Sequence, residues 1–225
     1  MNIKHLTVCI FLCLSSLTWG QETTKDVGTF NELKVFDLID VNLRKSTENK
    51  VVVTGENATA VKFINDDGTL KIRMELNERF DGALTKVEVF YTEVSILDAN
   101  EGAYITASEA ITQNNIELRV QEGGHIEIPV AVEDLIAKSV SGGIISTTGT
   151  AKNQDITINT GGQYLGKELQ NTNATVSVTA GGLAELKTSE NANVKVTAGG
   201  KVYLYGKPET LRKKKFAGGK IKVVE

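Results

Sequence analysis

The chain has 225 residues, 40% of them hydrophobic and only 6% aromatic, with 25 Lys or Arg against 28 Asp or Glu. Both cysteines (Cys9 and Cys13) and the single tryptophan (Trp19) fall in the first twenty residues, and beyond them the chain keeps one histidine, His125, and a net charge of −4. That composition excludes a disulfide scaffold and, lacking a basic stripe, argues against nucleic acid as a partner.

The opening residues read as a signal peptide over 1–20. Lys4 and His5 form a positive start, Leu6 to Leu17 is mostly apolar, and Thr18-Trp19-Gly20 precedes an expected new N-terminus at Gln21. The apolar run is too short to span about 30 Å of hydrocarbon as a helix, and no later stretch is long enough. The expected location is therefore exported: periplasm, outer membrane or cell surface.

The next hundred residues alternate as β-strands do. Val51-Val-Val53-Thr-Gly55 and Leu70-Lys-Ile72-Arg-Met74 flank Asp66-Asp67-Gly68, a hairpin or corner signal. Val87-Glu-Val89-Phe-Tyr91, Val94-Ser-Ile96 and Ala103-Tyr-Ile105 follow, the last two separated by Asn100-Glu101-Gly102. With two prolines and no Ser-rich linker in the chain, one domain is expected, its irregular start serving as a cap.

The second half carries glycine pairs at a nearly constant step: Gly123-Gly124, Gly142-Gly143, Gly161-Gly162, Gly181-Gly182, Gly199-Gly200 and Gly218-Gly219. A period near 20 residues is the signature of a solenoid. Counted from the second glycine of the pairs ending at 124, 162, 182 and 200, apolar residues recur at −6, −4, +2 and +4, with a gap at +4 after Gly162; polar residues fill most positions between them. Period-two alternation is a strand with one buried face, so two short strands meet at each glycine corner. Asn153, Asn171, Asn173, Asn191 and Asn193 mark a second corner, expected to use the left-handed turns that Asn tolerates. Val132–Val140 is read as strand and turn. Before Gly142 the segment Ala137-Lys-Ser139-Val140 is a residue short, and Lys215-Phe216-Ala217 precedes Gly218; both spacings predict bulges or altered corners. Stacked coils closing a shared core give the predicted fold: all-β, a parallel β-helix with coils of about 19 residues. Lys220-Ile-Lys222-Val223 alternates lysine with apolar residues, which discourages edge-to-edge pairing.

The succession Phe30-Asn-Glu-Leu33-Lys-Val35, Val51-Val-Val53-Thr-Gly55, Asp67-Gly68-Thr-Leu70-Lys-Ile72, Val87-Glu-Val89, the glycine-centred coils and Tyr205-Gly206-Lys207-Pro208 resembles the head GIN domain of the putative auto-transporter adhesin family, a domain of unknown function in exported proteins of Bacteroidetes-type bacteria. The resemblance covers about 29–208 and leaves 209–225 as a last coil or strand. Relatives often carry Ser-Gly at the corner, echoed here at Ser141-Gly142. The resemblance implies a right-handed single-stranded β-helix, export and adhesion, and brings no catalytic residues.

Enzymes built on β-helices gather carboxylates on an exposed face. The candidates are Glu117, Glu122, Glu127, Glu133, Asp134, Glu168, Glu185 and Glu190, spread about one per coil beside lysines such as Lys187, Lys195 and Lys201, and none is expected at a matching position in an adjacent coil. They read as a solvated charged face. Asp66-Asp67-Gly68 and Asp98-Ala-Asn100-Glu101 match no calcium repeat and read as turns. His125 has no nucleophile motif near it and reads as a surface residue. Tyr164 and Tyr203 have opposite parity, so no aromatic ladder is expected. Arg212-Lys213-Lys214-Lys215 suits acidic glycans or anionic headgroups, or a solvated turn before the last coil. No catalytic residue, metal ligand or cofactor is assigned, and no binding residue is specified. The expected function is a non-enzymatic cell-envelope scaffold or adhesin whose partner is a glycan or an envelope protein; the alternative is a carbohydrate-active enzyme, a lyase or hydrolase. Monomer and end-to-end oligomer both stay open.

Overall fold

A computed structural model describes residues 23–224. The expected signal peptide lies outside the described residues. The structure is a β-solenoid of about 7 turns with coils of about 19 residues, 65% strand.

The N-terminal part contains β1 (Thr23–Asp26), β2 (Glu32–Val35), β3 (Asp40–Lys45), β4 (Lys50–Gly55), β5 (Val61–Asp66), β6 (Thr69–Met74) and β7 (Thr85–Tyr91). The regular part follows with β8 (Ile96–Ala99), β9 (Tyr104–Ala107), β10 (Ile111–Val120), β11 (His125–Ser139), β12 (Ile144–Asn159), β13 (Gln163–Gly166) and β14 (Leu169–Thr179). β15 (Leu183–Lys187), β16 (Asn191–Thr197), β17 (Lys201–Tyr205), β18 (Thr210–Phe216) and β19 (Lys220–Val224) complete it.

Each coil has three faces, all visible within β11. Ile126 and Ile128 point inward on one face, Val130 and Val132 on a short second one, and Leu135, Ala137 and Ser139 on the third, every one buried. The β11–β12 ladder is parallel throughout, Ile126 opposite Ile145 and Ala137 opposite Ile156, so each inward residue rests on its counterpart one coil away. Burying one such aliphatic side chain is worth about 1.5–3 kcal/mol, and the column repeats it coil by coil.

The two glycines of a corner serve different needs. Glu122 and Gly123 take φ of 51° and 75°, and the Gly124 amide closes the turn on the Gln121 carbonyl at 2.9 Å. A side chain at Gly123 would meet nothing within 4 Å, whereas a Cβ at Gly124 would sit 2.1 Å from the Ala99 carbonyl oxygen of the coil before. Gly123 thus answers to backbone angle and Gly124 to close packing.

Three local expectations are corrected. No bulge precedes Gly142, because Ser139 itself takes the inward place opposite Ile158; its hydroxyl donates to the Gly143 carbonyl at 2.6 Å and accepts from the Gln163 amide at 3.0 Å. Nor does a bulge precede the last corner: Lys215 and Phe216 stay in register with Val196 and Thr197, and Ala217-Gly218-Gly219 repeats the left-handed Ala198-Gly199-Gly200. The second corner uses asparagine differently from expectation. None of the five is left-handed; instead Asn153 donates to Asp134 (2.8 Å), Asn173 to Asn153 (3.0 Å) and Asn191 to Asn173 (2.8 Å), a side-chain ladder up the stack.

The N-terminal end departs most from chain order. β2 lies between β6 and β8, and β3 between β7 and β9, all parallel. The first coil in sequence is therefore an inner coil in space, and the segment through β4 and β5 leaves the stack and returns as β6 and β7 on its outer side. The 66–68 turn joins β5 to β6 as an antiparallel hairpin, so its partner strand is Val61–Asp66; Val51–Val53 instead runs antiparallel between β1 and β7. These antiparallel strands cap the stack. The inner coil turns at Asp37-Leu38, φ 60° and 64°, with no glycine. Asp37 is fully buried and its carboxylate accepts from the Met74 amide at 3.1 Å.

Candidate functional site

Outward positions form columns because the register never slips. On the face that follows the glycine corner, Asn42, Thr106, Glu127, Ser146, Leu165, Glu185 and Tyr203 stack in one such column. Between the second and sixth of these lies a groove of about 500 Å³, walled also by Tyr104, Pro129, Thr148, Lys167 and Glu168. It offers hydroxyls, carboxylates, an ammonium, one aromatic ring and apolar Leu165 and Pro129 across five coils.

Tyr104 anchors the groove. Its hydroxyl donates to Glu127 Oε2 at 2.5 Å, and its ring lies against His125 of the next coil with centroids 4.7 Å apart and planes tilted by 31°. Burial and the Glu127 carboxylate together push its pKa up to about 12, so it remains a donor. Burial holds the His125 imidazole below its ordinary 6.5 against the opposing pull of Glu127, and His125 Nε2 is buried with no partner among the described residues. Standing alone beside a corner, His125 reads from sequence as a surface residue; the structure places it half-buried under Tyr104.

Above about pH 6.5 the imidazole is neutral in both folded and unfolded chains. Below that, the unfolded chain takes up the proton first, so stability falls as pH drops toward the lower folded pKa. His125→Gln is expected to shrink the fall in Tm between about pH 7 and about pH 5, measured by thermal denaturation.

The sequence-derived carboxylates separate into groups. Glu127, Glu168 and Glu185 line the groove without converging. Glu117 belongs to an ion network on the face before the glycine corner: Arg119 bonds it at 2.8 Å and Lys138 at 2.7 Å, Arg119 reaches Glu32 at 3.3 Å, and Lys34 joins Glu32 (3.2 Å) to Asp98 (3.5 Å). The Arg119 hydrogen bond, chiefly, holds the Glu117 carboxyl below its usual range, while burial raises that of Asp98. Every carboxylate in this network faces a cation, which makes it a structural clamp across coils. Glu133 pairs with Lys152 at 3.3 Å, Asp134 belongs to the asparagine ladder, Glu122 forms a corner and Glu190 is exposed. Asp66 approaches Lys71 and Glu101 binds Arg79, so neither acidic turn is assembled as a cage. Among the described residues no group of three or more His, Cys, Asp or Glu converges as a metal site would. Arg212–Lys215 lies in strand β18 rather than in a turn. Tyr164 points inward and Tyr203 outward, as their parity requires.

The groove was hidden from sequence reasoning because its walls come from residues about 20 apart that meet only once the coil register is known. The recurrence of Thr106, Ser146 and Leu165 in one column was the available signal.

No helix among the described residues is long and apolar enough to cross a membrane. No curated protein matches the chain. Among solved structures, the chain is similar to a putative adhesin from Bacteroides fragilis (TM-score 0.83, 16% identity, 91% of this chain and 96% of that one). It is also similar to a putative lipid binding protein from Parabacteroides distasonis (0.72, 15%, 92% and 97%) and to a putative adhesin from Parabacteroides merdae (0.71, 16%, 91% and 96%). At such identities the likeness shows the fold. The family model described as putative auto-transporter adhesin, head GIN domain, matches residues 29–208, and the chain belongs to that family.

Proposed function

We propose that this protein is an exported, non-enzymatic scaffold of the cell envelope that binds glycan through the groove beside Tyr104. The observation that carries the reading is the composition of that groove: one oriented aromatic ring next to hydroxyls and carboxylates, on strands held rigid by parallel ladders. Sugars are recognised by such a pairing of ring face and polar edge. Family membership and the adhesin-named neighbours support adhesion.

Glu127 and Glu185 are too far apart to act together as a hydrolase pair. They share a column three rungs apart, about 14 Å at 4.8 Å per rung, beyond the roughly 5–9.5 Å between the carboxylates of glycosidases.

A glycan-array screen of the purified protein tests the reading. At least one oligosaccharide is expected to bind, and Tyr104→Ala to weaken it at least about tenfold, the loss of one stacked ring and one oriented hydroxyl. Unchanged binding by Tyr104→Ala, or depolymerised product that disappears in Glu127→Gln, would overturn it.

A further inference from the structure

The glycine corners are not all alike. In the corners at 122–124, 141–143 and 160–162 the second glycine amide closes the turn, at 2.9, 3.0 and 3.1 Å, onto the carbonyl three residues back. From residue 180 onward the geometry changes: Gly182, Gly200 and Gly219 take φ of 101°, 97° and 92°, and that closing bond is gone. The amides of Gly181, Gly182, Gly199, Gly200, Gly218 and Gly219 have no acceptor among the described residues. Five of these glycines, with Gly161, Gln163, Leu183, Lys201 and Lys220, line a groove of about 620 Å³ running up the stack. Lys201 and Lys220 occupy successive rungs at its edge, and both are exposed.

The charge around this groove is equally uneven. Residues 187–225 hold ten Lys or Arg and three Asp or Glu, a net +7; residues 21–186 hold 14 and 25, a net −11. None of the ten cations forms an ion pair among the described residues, whereas cations of the preceding coils do so repeatedly.

We propose that this glycine-floored groove binds a linear acidic polysaccharide, the backbone amides donating to successive carboxylate or sulfate groups and Lys201 and Lys220 neutralising them. Successive unpaired backbone amides in a turn form anion-binding concavities. Their repeat along the axis is the coil spacing of about 4.8 Å, which suits a polymer charged on each sugar. A groove running along the axis admits a chain, while a bilayer would need a plane. The site shares no residue with the Tyr104 groove and stands independently of it.

The test is binding of polygalacturonate to the purified protein at about 50 and about 200 mM salt, with neutral dextran and phosphatidylglycerol vesicles as the other arms. Polygalacturonate is expected to bind, more weakly at the higher salt, and the Lys201→Gln/Lys220→Gln variant, altered only at exposed positions, to bind at least about tenfold more weakly with a smaller salt slope. Gly181→Ala/Gly199→Ala, whose methyl groups would meet no atom closer than 3.9 Å, is expected to lower affinity by filling the groove. Tyr104→Ala should leave polygalacturonate binding unchanged, which separates failure here from failure of the first groove. Equal binding of dextran, binding of vesicles alone, or wild-type affinity in the lysine variant would overturn the proposal.

Discussion

Gly124→Ala is expected to cost about 4 kcal/mol, and its neighbour Gly123→Ala only about 1 kcal/mol. Chain position and composition barely distinguish the two. Gly123 has φ of 75° and open space around its missing side chain, so alanine there bears only the left-handed penalty. A methyl on Gly124 would stand 2.1 Å from the Ala99 oxygen and 2.5 Å from its carbonyl carbon. Those are backbone atoms held by the β8–β10 ladder, in which Ala99 pairs with Val120, so relief requires the coils to part. Thermal and urea denaturation of the two single variants give the comparison. Equal losses would mean that backbone angle alone governs the corner.

The second large effect is expected inside the core. Tyr164 is fully buried, and its hydroxyl donates to Gln154 Oε1 at 2.6 Å and lies 2.9 Å from the Thr147 hydroxyl. Gly166 makes room for the ring: a Cβ there would fall 2.5 Å from Tyr164 Cε1. That is the physical reason for the missing apolar residue after Gly162. Tyr164→Ala should cost about 4 kcal/mol through the cavity it opens. Tyr164→Phe keeps the volume but strands the Gln154 and Thr147 groups, at about 1–3 kcal/mol. The triple variant Tyr164→Phe/Thr147→Val/Gln154→Leu, which removes all three polar groups, should recover most of that loss. If it does not, shape rather than hydrogen bonding holds the island.

What could be read from the residues followed from local rules. Inward positions such as Ile126, Val176 and Val202 announce themselves by alternation, and glycine pairs mark corners because few other residues fit there. The Asp37-Leu38 corner was illegible for the same reason: it adopts the left-handed geometry without glycine, supported by bonds from Asp37 to a distant strand. The asparagines signalled a corner but not its chemistry, since Asn153, Asn173 and Asn191 satisfy one another only after stacking. Both grooves depend on columns of residues far apart in sequence, and the change in turn geometry at residue 180 leaves the Gly-Gly pair itself unaltered; only the residue before it differs, Ala180, Ala198 and Ala217 against Glu122, Ser141 and Thr160.

The placement of the first coil inside the stack constrains the order in which this protein can assemble. β2 and β3 cannot complete their ladders until β6 and β7, and then β8 and β9, have been synthesised, so the N-terminal coils must form as a block through distant contacts. From β10 onward each new coil needs only the one before it and can add by a zipper-like step. Under mechanical pulling or gradual heating the two ends should therefore behave differently: the C-terminal coils peel away singly, while the interleaved start holds until it gives way at once.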